Sequence, residues 1–185
     1  MSSLFQSGVL YRLPLYMIYG LVCEVLFTAV TDLISPHFLK SWNVFGNNSP
    51  QPPLRTCPEY VSGLRGGVKW KAIGYSFLWM LPIYALLVFI EPASEGMKNF
   101  PLLVRGLLYV LALWMVEYFS GRLIKKISGH IPWDYSASRW NLSGAIRFDF
   151  LPIWLVFVLV AEWLSHKFIL LTPALIEVFR FPLLM

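Results

Sequence analysis

Charge is what this chain has least of. Asp, Glu, Lys and Arg make up 14% of its 185 residues, against about 25% in an ordinary soluble domain. That shortage excludes a water-facing globule of this size, because too little polar side chain exists to cover one. Cysteine is scarce too. Cys23 and Cys57 are the only two, and no C-x-x-C spacing occurs, so neither a disulfide framework nor a thiolate metal site can be read. His37, His130 and His166 stand in separate segments and form no H-x-x-x-H ligand pair, so no metal and no cofactor are expected. No G-x-S-x-G elbow and no Walker A motif is present, which removes serine-hydrolase and P-loop ATPase chemistry. The net charge of +5 comes without a recognition motif, so nucleic acid is not an expected partner.

What is abundant is apolar side chain, at 57% of residues and a mean hydropathy of +0.62. The eight Trp and nine Tyr suit the membrane–water boundary. A spanning helix needs about 20 mostly apolar residues, and four stretches qualify: 13–34, 72–90, 101–124 and 148–171. None alternates in the manner of a barrel strand. The expected fold is an all-α integral membrane protein, a four-transmembrane-helix bundle forming one domain over residues 1–185. The first span is too long for a signal-peptide core and contains Glu24, so it is expected to be retained. Pro36, Pro92 and Pro173 should end the first, second and fourth spans, and Pro101 suits the first turn of the third. Pro82 and Pro152 lie inside spans and predict kinks.

The loops 35–71 and 121–147 carry ten Lys and Arg, against five on the opposite side. That excess predicts both loops on the cytoplasmic side and both termini across the membrane. The 35–71 loop is long for a bundle connection. It is rich in Pro and Gly, yet Trp42, Phe45, Tyr60 and Trp70 give it apolar anchors, so an ordered loop is expected. The second loop, between the third and fourth spans, should be interfacial. The tail 172–185 mixes Leu, Ile, Val and Phe with Glu177 and Arg180 and reads as an interfacial or partner-facing segment.

Ionisable groups inside a span cost about 3 kcal/mol each unless partnered. Glu24, Glu117 and Glu162 meet that description. Helical spacing puts Gly20, Glu24, Thr28 and Thr31 on one side of the first span. It aligns Gly106, Tyr109, Leu113 and Glu117 in the third, and Val158, Glu162, Ser165 and His166 in the fourth. Each of these three helices is therefore expected to turn one acid inward. Clustered carboxylates can share a proton and act as acid or base, or can bind a cation or a polar lipid head. They can equally lock helix packing through hydrogen bonds to Tyr, Trp, Thr or Arg. Between the last two spans stands PWDYSASRWNLSGAI at 132–146. Here Asp134 either caps a turn through backbone N–H groups or stands beside Glu117 at the cytoplasmic mouth. Trp133 and Tyr135 are interfacial anchors.

The runs YGLVCEVLFTA at 19–29, WMVEYFSG at 114–121 and PWDYS followed by N-x-x-G resemble the transmembrane protein 229 family, whose bacterial relatives are named as ABC transporter permeases. The resemblance places Glu24, Thr28, Glu117, Gly121, Trp133, Asp134, Tyr135, Asn141 and Gly144 at family motif positions and extends to an acid in the last span, Glu162. The long 35–71 loop departs from the animal members. Pro132-Trp133-Asp134 together with the span acids is also similar to the membrane-embedded lycopene cyclases. Three functions stay open. The first is a non-enzymatic subunit of a larger membrane assembly or transporter, working among membrane lipids with other subunits or as a homo-oligomer. Its polar centre would comprise Glu24, Thr28, Glu117, Trp133, Asp134, Tyr135, Asn141 and Glu162. The second is an intramembrane enzyme of cyclase or isomerase type acting on a lipid or isoprenoid, with Glu24 and Glu117 as acid and base and Asp134 orienting them or supplying the proton. The third is a proton- or ion-coupled transporter.

Overall fold

The computed structural model describes residues 2–34, 76–136 and 138–180. Helix α1 is Ser2–Ile34. Helix α2, Met80–Ala85, passes through a 3₁₀ turn at Leu86–Phe89 into α3, Ile90–Gly96. Helix α4 is Leu102–Ser128. Strands β1 (Asn141–Leu142) and β2 (Ile146–Arg147) precede a 3₁₀ turn at Phe148–Phe150 and then α5, Leu151–Arg180. The described residues are mostly helical, with this short ladder as the departure from an all-helical fold. Among them, three helices are long and apolar enough to cross a bilayer: Gly8–Val30, Leu102–Ser128 and Phe148–Phe179. Of the expected second span, the part from Met80 is helical but broken into three short pieces, and 72–75 lie outside the described residues. The 35–71 loop, with its aromatic anchors, Cys57 and Pro36, also lies outside them.

The prolines correct several expected boundaries. Pro173 does not end the last span, because α5 continues to Arg180. Residues 172–180 are therefore helix and not a separate tail. A proline frees one carbonyl, and in an apolar setting the rest of the ladder is kept because no water replaces it. Thr172 adds a bond in that turn by donating its hydroxyl to the Phe168 carbonyl at 3.0 Å. Pro92 lies inside α3. Its ring crowds the carbonyl four residues back, that of Val88, and Val88 sits in the 3₁₀ turn where the ladder changes pitch. Pro82 and Pro152 fall in the first turns of α2 and α5, where a missing N–H is harmless, so neither marks a mid-helix kink. Pro14 is carried inside α1, which begins well before residue 13. Pro101 sits just ahead of α4, its carbonyl accepting the Arg105 N–H at 3.1 Å. Residues 121–128 belong to α4 rather than to the following loop.

Along α4 the side chains sort as a lipid environment requires. Leu103, Leu107, Leu111, Met115, Phe119 and Leu123 are exposed, while Gly106, Val110, Glu117, Gly121 and Ile124 are buried. Lipid accepts the apolar face, so the residues that need protein contact turn inward.

The chain divides into two compact units. The first comprises Met1–Cys23, Leu78–Ala112 and Pro152–Met185. Here α1 and α2 approach so closely that a Cβ on Gly20 would enter the Tyr84 ring. Tyr19 stacks on Phe157 at 5.1 Å and donates to the Phe157 carbonyl at 2.8 Å. Two ion-pair clusters are built into this unit. Arg12, fully buried, donates from Nε and Nη2 to the two carboxylate oxygens of Glu91, both at 2.8 Å. The Tyr16 hydroxyl also donates to Glu91, at 2.9 Å, and Arg12 Nη1 donates to Thr172 at 2.8 Å. In the other cluster Glu162 stands 3.1 Å from Arg105 Nε and accepts the Tyr109 hydroxyl at 2.9 Å.

The second unit comprises Glu24–Phe77 and Leu113–Leu151. Its turn-rich part packs on Phe150, which meets Phe27 edge-on at 5.4 Å and Tyr135 at 5.8 Å. The Arg147 guanidinium lies over the Phe150 ring at 4.3 Å and grips both Asp149 oxygens at 2.8 Å. The ladder pairs Asn141 with Arg147 and Leu142 with Ile146. Its turn has both central residues left-handed, Ser143 (φ 54°) and Gly144 (φ 72°), closed by Ala145 N–H to the Leu142 carbonyl at 3.0 Å. That is the type I′ geometry suited to strand twist.

Candidate functional site

The second unit places a carboxylate in apolar surroundings without satisfying it. Glu117 projects from α4 and is 7% exposed. Its Oε2 is buried and has no hydrogen-bond partner among the described residues. Glu24 of α1 acts on it through space, and the Glu24 Oε2 accepts the Ser76 hydroxyl at 2.6 Å. One turn before Glu117, the Trp114 indole meets Phe148 edge-on at 5.2 Å, and its buried Nε1 has no acceptor among the described residues. Thr28 is buried and returns its hydroxyl to its own helix, to the Glu24 carbonyl at 3.0 Å and the Val25 carbonyl at 3.1 Å.

One turn after Glu117, the polar segment closes on α4 at Gly121. A Cβ there would stand 3.3 Å from Ala145 and 3.4 Å from the Trp133 ring. Trp133 donates its indole N–H to the Ala145 carbonyl at 3.1 Å, fixing the ring against that site. Asp134 caps its own turn: Oδ1 accepts the Ser136 backbone N–H at 2.9 Å and the Ser136 hydroxyl. Asn141 accepts the Gly144 N–H at 2.9 Å and donates to the Ser138 carbonyl. The Tyr135 N–H donates to the Gly144 carbonyl at 2.8 Å. A Cβ on Gly144 would run into Ser136 and Asp134. The P-W-D-Y-S and N-x-x-G motifs are therefore two halves of one folded segment.

The sequence-selected residues fall into two groups. Glu24, Thr28, Glu117, Trp133, Asp134, Tyr135 and Asn141 belong to the second unit. Glu162 belongs to the first, where Arg105 and Tyr109 hold it. Glu24 and Glu117 are brought into electrostatic reach of one another. Asp134 takes the turn-capping role, and no hydrogen bond joins it to Glu117 among the described residues. His166 is exposed, away from the buried side of α5 that carries Val158, Glu162 and Ser165. Sequence reasoning missed Glu91, which lies just beyond an expected span. Arg12 and Arg105 are two of the five basic residues counted opposite the two loops, and that count gives them no structural role. A signal was present: consecutive antiparallel spans bring the start of one beside the end of the next, and Arg12 and Glu91 occupy those two positions.

Residues 57–181 match the family described as "Putative ABC-transporter type IV". The chain belongs to that family. The matched stretch contains Trp114, Glu117 and the whole 132–146 segment and begins after Glu24 and Thr28. It supports the bacterial transporter side of the resemblance; the transmembrane protein 229 and lycopene cyclase likenesses rest on the quoted motifs. Family membership and three apolar helices make this an integral membrane protein with a transporter-related role. No solved structure matches the chain.

Proposed function

We propose that this ABC-transporter type IV chain is a non-enzymatic, multi-pass subunit of a membrane transport assembly, with Glu24 and Glu117 at its polar centre. Glu117 is the observation that carries the reading. An acid on a spanning helix with an open buried oxygen costs stability and supplies no contact in return, which is the usual mark of a group kept for a ligand or a partner. These 185 residues hold no Walker A motif, so ATP hydrolysis would fall to another polypeptide segment. Asp134 spends Oδ1 on Ser136, which favours this reading over an acid/base enzyme using Glu24, Glu117 and Asp134 together. The charge count supports the 35–71 loop, the basic end of α4 and the segment 129–147 after it on the cytoplasmic side, with both termini opposite.

Purification in mild detergent under native expression tests the assembly. The expected result is a particle heavier than one chain plus detergent, containing either further copies or a second membrane subunit. A monodisperse monomer at every stage overturns it. Substituting Glu117→Gln should leave that particle intact while reducing its transport output.

A further inference from the structure

The unmet hydrogen-bonding capacity at Trp114 and Glu117 is of two complementary kinds. Trp114 Nε1 is a buried donor without an acceptor, and Glu117 Oε2 a buried acceptor without a donor, among the described residues. The two residues are three apart on α4 and therefore share one face. A bare cation would serve the carboxylate and leave the indole N–H unmet. An anion would serve the indole, but Glu24 and Glu117 together repel it. An alkyl chain serves neither. A single hydroxyl serves both, because it accepts one hydrogen bond while donating another.

The surroundings fit an amphiphile. Phe148 packs edge-on against Trp114 at 5.2 Å, and the exposed side of α4 at Leu111, Met115 and Phe119 is apolar. The polar segment closes over α4 at Gly121, one turn, or roughly 5 Å, beyond Glu117. A head group entering from the boundary has only that turn to cross, and its tail stays among apolar side chains. We propose that the Trp114–Glu117 edge binds the hydroxyl head of a long-chain alcohol or hydroxyl-bearing lipid. This rests on the polar centre proposed above but not on the assembly state.

The test is photolabelling of the purified full chain in zwitterionic nanodiscs. Three diazirine probes share one alkyl chain: a primary alcohol, its methyl ether and the primary amine. Adducts are mapped by tandem mass spectrometry. The alcohol is expected to label residues 113–121 about tenfold more than the ether, the effect of about one net hydrogen bond. Trp114→Phe keeps the ring against Phe148 and removes only the N–H, and it should lower alcohol labelling toward the ether level. Glu117→Leu should do the same, whereas Glu117→Gln, which retains an acceptor oxygen, should keep most of it. Equal labelling by alcohol and ether, preference for the amine, or indifference to Trp114→Phe in a protein of unchanged helicity would overturn the proposal. A monomeric particle that still selects the alcohol would overturn the assembly reading and leave this one standing.

Discussion

In the first unit the Glu91 carboxylate accepts three hydrogen bonds, two from Arg12 and one from Tyr16. In the second, Glu117 is nearly as buried and its Oε2 receives none among the described residues. Both acids sit in apolar surroundings where an unpartnered charge is costly, so the contrast separates two uses of the same side chain. A carboxylate whose oxygens are all engaged by its own chain is a fixed strut between helices. A carboxylate with a buried oxygen that meets no donor contributes little to cohesion. Counting acids in spans does not distinguish these uses, whereas following each acid's oxygens to their partners does.

The largest expected effect breaks the strut. Replacing Glu91→Ala leaves the Arg12 charge buried, and removal of one partner from such a pair costs about 3–5 kcal/mol. Thermal unfolding in detergent should show the chain collapsing well below its normal midpoint. The double replacement Arg12→Met with Glu91→Leu should recover most of that loss, since the uncompensated charge is gone. Next comes Gly144→Val. It forces a β-branched residue into a left-handed turn and into Ser136 and Asp134, at a cost of roughly 1–3 kcal/mol. Faster proteolytic nicking within 129–147, with the rest of the helices retained, is the expected readout. Asn141→Ala removes the bond to the Gly144 N–H and should cost about 1 kcal/mol, seen as a smaller rise in nicking at the same place.

The smallest stability effect belongs to Glu117→Gln. Gln keeps the shape of an acid whose Oε2 meets no donor among the described residues, so the unfolding midpoint should stay level or rise, with any loss under about 1 kcal/mol, while transport output falls. If Glu117→Gln unfolds the protein as Glu91→Ala does, the contrast between the units is lost and Glu117 is another strut.

Much of the inward face of α4 and α5 was legible from spacing. Gly106, Tyr109 and Glu117 of α4, and Val158, Glu162 and Ser165 of α5, are buried, whereas Leu113 is half-buried and His166 exposed. Helix ends were less legible. Proline is read as a stop because in water a freed carbonyl finds a new partner, and an apolar setting removes that alternative at Pro173. The role of Asp134 was undecided because a short acid followed by Ser suits a turn as well as a cavity. The bonds from Ser136 to Asp134 Oδ1 form where the left-handed Gly144 lets the two halves of the segment meet, a meeting that spacing does not specify.

Composition and spacing alone determined that this chain belongs in a bilayer, because apolar stretches of that length have no other stable environment and helical repeat fixes which face carries the acids. Among the described residues, tertiary structure decided that Glu91 and Glu162 are engaged by the chain and that Glu117 keeps an unmatched oxygen. Glu91, Glu117 and Glu162 are identical in formula and similar in setting. Their partners Arg12, Tyr16, Arg105 and Tyr109 come from other helices or distant turns, so whether a carboxylate is held or left available is fixed only when those segments pack.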